Sequence, residues 1–217
     1  LGWSRGLGDV YKRQVQKVLD AHPVPLGADQ LVFIARVVEH LADVLEKRRR
    51  GEEPAQRVFL LMGQGGTGKS EVIKVLTTLM DIYHDDLTRS ADGSISGVSE
   101  VYMLMASTNA AAANIGGDTI HSRVRLNEKI GYRIDKLGRQ VPTQEHKTEW
   151  ADAHLLVIDE ISMLSPALFA ALSFRLCQLR RRPDDMGESL YTQRGHSFGG
   201  ILDFMQSPAF DDLSKVS

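Results

Sequence analysis

VFLLMGQGGTGKS, Val58 to Ser70, decides the fold. Val58 to Met62 is an unbroken apolar run that stops at a glycine-rich turn. Such a run is expected to be a short strand buried on both faces, as in a parallel sheet. Gly63, Gly65, Gly66 and Gly68 then give the backbone freedom to curl until its N–H groups point at an anion. Val72, Leu76 and Leu79 mark the buried face of the next helix, whose positive end is directed at the same place. Strand, glycine turn and helix in this order define a P-loop. Gly63, Gly65, Gly66, Thr67, Gly68, Lys69 and Ser70 are therefore expected to bind a nucleoside triphosphate. Lys69 would reach the β- and γ-phosphates and the Ser70 hydroxyl would ligate magnesium. A glycine-rich turn with a stray lysine is the plain alternative, and the flanking elements argue against it.

Working outward, Leu31, Ile34, Val38, Leu41 and Leu45 fall three and four apart and predict a helix from Asp29. It ends in Lys47 to Arg50, cations that suit a helix C-terminus, with Gly51 after them. His84 to Glu100 is polar and reads as a surface loop. Val101 to Ala106, VYMLMA, predicts a second buried strand, followed by an alanine-rich helix. Leu126 to Glu149 has no clear period and reads as an excursion without an assigned structure. Leu155 to Ile158 predicts a third strand. Ser165 and Pro166 then form an N-cap and N1 pair, opening a helix through Leu168, Leu172, Leu176 and Leu179 to Arg182. Strands alternating with helices imply an α/β fold: a mostly parallel sheet flanked by helices.

LLVIDE, Leu155 to Glu160, places Asp159 and Glu160 at the C-terminal end of that third strand. In a P-loop enzyme such an aspartate holds magnesium. The adjacent glutamate is suited to polarising the attacking water. Two solvated carboxylates at a strand end are common in isolation; beside GQGGTGKS the functional reading prevails.

Composition narrows little further. The 217 residues carry 26 Lys and Arg against 28 Asp and Glu, a formal net charge of −2, which excludes a strongly basic tail but not a local nucleic-acid patch. Cys177 is the only cysteine, so an internal disulfide framework is excluded. No apolar run approaches the ~18 residues of a membrane span, and a soluble intracellular protein is expected. The basic runs Arg48 to Arg50 and Arg180 to Arg182 sit at predicted helix ends and are read as helix termini, not as DNA contacts. Residues 1–14, LGWSRGLGDVYKRQ, are read as a non-native tail: DVYKRQ resembles translated adapter sequence. The native domain is accordingly taken as residues 15–217.

Four further segments resemble one family. ASTNAAAANIGG with DTIHS is similar to the segment of superfamily 1 helicases that grips single-stranded DNA, and IDEISM lies on the magnesium strand and just past it. Together with the P-loop they resemble the petite-integration-frequency (Pif) helicases, relatives of RecD. LGADQ, Leu26 to Gln30, is similar to that family's adenine-recognition element, and FGGILDFMQSPAF near the C-terminus to its third motif. The resemblance covers about Leu26 to Phe210. It implies a RecA-like motor domain of an ATP-dependent DNA helicase, with ATP and magnesium as cofactors and single-stranded DNA as partner. It further implies that Gln30 contacts the adenine edge, the bland reading being a solvated residue in a helix's first turn. Thr108 would donate to a DNA phosphate, with His121 and Ser122 along the same track. Gln206 would sense the γ-phosphate.

The chain departs from the family pattern. Asn109 stands where glycine is usual, and asparagine tolerates a left-handed conformation. Only Ile201 and Leu202 separate Gly200 from Asp203, where the family has a whole strand of ~5–6 residues. Leu202 and Ser207 also replace the family's residues. With no second RecA-like domain before Ser217, the expectation for this chain is nucleotide binding without unwinding. A remodelling or switch ATPase and an inactive remnant are the competing readings.

Overall fold

The computed structural model describes residues 9–52, 54–89, 100–127, 132 and 134–180. The chain divides into two compact units, Leu1–Ala55 with Phe59–Val101, and Gln56–Val58 with Tyr102–Ser217.

The first unit holds four helices among its described residues: α1 Asp9–Ala21, α2 Ala28–Arg49, α3 Lys69–Ile82 and α4 His84–Thr88. α1 and α2 both pack on α3. α3 buries Val72, Ile73, Val75, Leu76, Leu79 and Met80, the face its apolar spacing predicts and further positions beside it. Ile34 and Val38 of α2 and Val15 of α1 are likewise buried. α2 closes as expected, with Lys47, Arg48 and Arg49 in its last turn. Gly51 turns left-handed at φ 70°, and the Glu52 N–H returns to the Lys47 carbonyl at 2.9 Å. Arg48 donates to the Leu87 carbonyl and Arg49 to the Tyr11 hydroxyl, so these cations serve local structure.

Two sequence expectations change in this unit. Val58 to Met62 is not a strand: Leu60 is 57% and Met62 80% exposed, and the division between the units falls after Val58. An apolar run licenses burial, but a strand exists only where a neighbour completes its ladder. Phe59 instead sets its ring 6.1 Å from that of Phe33, edge to face. The polar stretch from His84 begins with α4, anchored by the fully buried Leu87, and residues 90–99 lie outside the described residues. Asp9 to Gln14, the described part of the stretch that resembles adapter sequence, form the first half of α1, with the Tyr11 and Tyr83 rings 5.1 Å apart.

The second unit is built on a parallel three-stranded sheet in the order β2-β1-β3: β1 Tyr102–Ala106, β2 Asp118–Thr119 and β3 Leu155–Asp159. Tyr102 pairs with Leu155 and Ala106 with Asp159, while Ala106 also pairs with Thr119. Its helices are α5 Asn109–Ile115, α6 Ile120–Arg123, α7 Ile134–Leu137, α8 Gln144–Glu149 and α9 Pro166–Arg180. The Ser165 hydroxyl accepts the Leu168 N–H at 3.2 Å, the expected cap of α9. Met103, Met105, Leu156, Trp150, Leu168, Leu172 and Leu176 share one core.

The excursion from Leu126 to Glu149 contains α7 and α8, each too short to show a period. Buried Leu126 and Leu137 join it to the core, and polar anchors add to their hold. Arg175, 3% exposed, donates to the Gln140 carbonyl and to Gln178 Oε1 at 3.0 Å. Arg180 donates to the carbonyls of Trp150 and Ala153 at 2.7 and 3.0 Å, in keeping with a structural role; Arg181 and Arg182 lie outside the described residues. His146 is buried, and its Nε2 lies 3.1 Å from the Arg123 carbonyl, a geometry the Nε2–H tautomer satisfies.

This packing yields two tests. A Cβ at Gly117 would lie 2.4 Å from the Leu104 carbonyl oxygen of β1, so Gly117→Ala should cost about 1–3 kcal/mol of stability in urea unfolding. The His146 imidazole is held below its ordinary pKa, chiefly because burial disfavours its charged form. The unfolded chain therefore binds the proton more tightly, and stability should fall as pH drops below ~6.5. His146→Gln should flatten that part of the unfolding profile.

Candidate functional site

In the first unit the loop Gly63 to Gly68 leads directly into α3. Gly66 and Gly68 have φ of 78° and 77°, a left-handed backbone that side chains rarely tolerate. Gly68 is the N-cap residue and brings no side-chain cap, so the first N–H groups of α3 remain available to an anion. The Lys69 ammonium donates to the carbonyls of Gly63 and Gln64 at 2.8 and 3.0 Å, and the Thr67 hydroxyl also donates to Gln64 at 2.8 Å. Among the described residues Lys69 faces carbonyls and no carboxylate, so its charge is left for a ligand to neutralise. That donor set fits a polyphosphate. Glu71, at the start of α3, is tied to Lys74 at 2.8 Å, a bond that holds its carboxyl below the ordinary carboxylate range.

Gln30 reaches this loop, though through an unexpected surface. Its Oε1 accepts the Gly27 N–H at 2.7 Å, and its Nε2 donates to the carbonyls of Thr67 and Gly68 at 3.0 and 3.1 Å. It is half-buried, with its amide engaged at both ends.

In the second unit the parallel register carries three of the expected segments to one edge of the sheet. Ala106 is opposite both Asp159 and Thr119, so Thr108, the carboxylate pair and the His121 segment all lie at the carboxyl ends of adjacent strands. Ligands of open α/β sheets bind at that edge. Asp159 Oδ1 accepts the Glu160 N–H at 3.0 Å. Glu160 is exposed with φ 52° and ψ 43°, a left-handed conformation uncommon for a residue with a Cβ. The Thr108 hydroxyl accepts the Ala111 N–H at 3.2 Å as the cap of α5; a hydroxyl so engaged still has its own proton to donate. Ser122 is exposed within α6, its N–H capped by Thr119 at 3.2 Å.

His121 Nε2 lies 2.7 Å from the Tyr132 hydroxyl, with the rings 5.7 Å apart. Tyr132 carries no signal in the sequence because it lies in the segment without a period; no local pattern announces a contact eleven residues away. Gln206 and the interrupted strand at Ile201 and Leu202 lie outside the described residues.

A phosphate-type glycine loop opening a helix, and a parallel sheet with paired carboxylates at its carboxyl edge, define the RecA-like class of P-loop α/β proteins. The PIF1-like helicase family model matches residues 44–208, and the chain belongs to that family. It is 34% identical over 127 residues to the ATP-dependent DNA helicase PIF1 of Saccharomyces cerevisiae, covering 58% of this chain and 13% of that protein. It is 29% identical over 209 residues to the ATP-dependent DNA helicase PIF1 of Emericella nidulans, covering 91% of this chain and 23% of that protein. The crystal structure of Pif1 helicase from Candida albicans superposes with a TM-score of 0.53 at 26% identity, covering 82% of this chain and 32% of the other. The chain thus spans less than a quarter of the length of these curated relatives. No described helix is long and apolar enough to cross a membrane.

Proposed function

We propose that this chain forms the nucleotide-binding and DNA-gripping part of an ATP-dependent DNA helicase. The whole protein would couple ATP hydrolysis to movement along single-stranded DNA and to duplex unwinding, in repair, recombination or telomere maintenance. The observation that carries the reading is the Lys69 ammonium, held in a left-handed glycine loop with only carbonyls around it among the described residues. An anion is what that charge and those amides are suited to receive.

In this reading Lys69 exchanges its two carbonyl partners for β- and γ-phosphate oxygens. Glu160 takes the proton of the attacking water, and Thr108, His121 and Ser122 track the DNA backbone. Gln206 couples the γ-phosphate to the strand. Ser70 and Asp159 would supply the protein oxygens for magnesium. The described residues contain no cluster of three or more His, Cys, Asp or Glu side chains suited to a metal. Magnesium in such sites takes one or two protein oxygens and completes its shell with phosphate and water. When bound, it neutralises phosphate charge.

The test uses an intact family member carrying this segment. Single-stranded DNA should stimulate its ATPase, and Lys69→Ala should abolish hydrolysis. Glu160→Gln should preserve ATP binding and lower turnover by about 10²–10⁴-fold, the usual range for a lost general base. An ATPase indifferent to single-stranded DNA would overturn the motor reading.

A further inference from the structure

We propose that His22 and Lys74 form a clasp that holds the Glu71 carboxylate off the phosphate donors, so that the chain does not fill its own anion site. The inference rests on the nucleotide reading above and names two positioning residues for it.

Glu71 stands three positions beyond Gly68, the N-cap residue of α3. A glutamate placed there ordinarily folds back to the backbone N–H of the N-cap residue and closes a capping box. The positive end of the helix draws its charge the same way. At this helix the result would be a carboxylate on the amides that an incoming phosphate needs. The structure shows a different arrangement. No side chain caps Gly68, and both oxygens of Glu71 are engaged elsewhere. Lys74, three residues further along α3, donates to Oε1 at 2.8 Å. His22 Nε2 lies 3.1 Å from Oε2, within ion-pair range.

The two arms of the clasp differ in what fixes them. The Lys74 side chain is 60% exposed, and a pair of this kind on one helix face is weak by itself. His22 comes from the turn after α1, and its side chain is only 9% exposed. The packing of α1 on α3 delivers it there, with Val15 buried and the Tyr11 ring against Tyr83. His22 Nε2 is buried without a hydrogen bond to any other described group, so withdrawing Glu71 would leave it bare of its counter-charge. The helix that precedes α2 thereby acts on the phosphate site without touching it.

Double-mutant cycles separate this role from folding. Equilibrium binding of Mg·ATP and of inorganic tripolyphosphate with magnesium would be measured at one pH on the 217-residue chain. The same is done for His22→Ala, Lys74→Met and Glu71→Ala, and for each of the first two combined with Glu71→Ala. The clasp predicts that His22→Ala and Lys74→Met each weaken both ligands about threefold to tenfold, the scale of a charge at a helix N-terminus. Glu71→Ala alone should bind both ligands at least as tightly as the unaltered chain. Adding either other substitution to it should then change affinity by less than about twofold, the scatter of independent sites. Lys74 is exposed, so its cycle stands even where loss of buried His22 unsettles α1. Equal losses with and without Glu71 would mean that the two side chains act through folding or on the ligand itself, and would overturn the proposal. No loss from either substitution would overturn it too. If the unaltered chain binds neither ligand, the nucleotide reading itself falls, and the clasp with it.

Discussion

A peptide group cannot offer its carbonyl and its N–H to the same side, and the phosphate loop is organised around that constraint. Four of its carbonyls are satisfied from within the first unit. Lys69 takes those of Gly63 and Gln64, Thr67 shares Gln64, and Gln30 takes Thr67 and Gly68. The left-handed turns at Gly66 and Gly68 and the uncapped start of α3 leave N–H groups there for an anion. The packing of α1 and α2 on α3 gives this arrangement a firm floor, since α3 buries residues from Val72 to Met80. The same turn that starts the helix thus creates the donor array.

The second unit depends on a different regularity, the parallel register. Parallel strands all end on the same side, so residues far apart in sequence arrive at one edge without contacting each other first. Ala106 is the pivot, paired with both Asp159 and Thr119. Each strand ends in a turn with its own backbone device: a threonine cap after β1, a threonine cap at the end of β2 and the left-handed Glu160 after β3. The excursion that lacks period joins the core through Leu126 and Leu137 and is tied to α9 by buried arginine. Burial holds the Arg175 guanidinium below its ordinary pKa, and it commits its donors to Gln140 and Gln178.

Much of this is legible from residues alone, for identifiable reasons. α2, α3 and α9 are long enough for a three-and-four spacing to repeat, and Ser165 with Pro166 is a local signal that means what it says. β1 and β3 are apolar runs that find ladder partners. Val58 to Met62 is as apolar as either and does not, because pairing is decided by the neighbour and not by the run. Gly63 to Ser70 is legible as a site since its chemistry is contiguous. The partners of Gln30 are not, because 37 and 38 residues separate it from the carbonyls it holds. The Tyr132 contact to His121 is hidden for the same reason. Residues 9–14 resemble adapter sequence, while their place in α1 is a matter of packing that no resemblance reports.

The central claim is that the amides at the entrance of α3 are the phosphate donors. Hydrogen–deuterium exchange of the amides from Gly65 to Ser70, with and without Mg·ATP, addresses it most directly. The account predicts marked slowing at these amides when nucleotide is present, and the same slowing with magnesium and tripolyphosphate. Unchanged exchange across Gly65 to Ser70 under saturating nucleotide would contradict it.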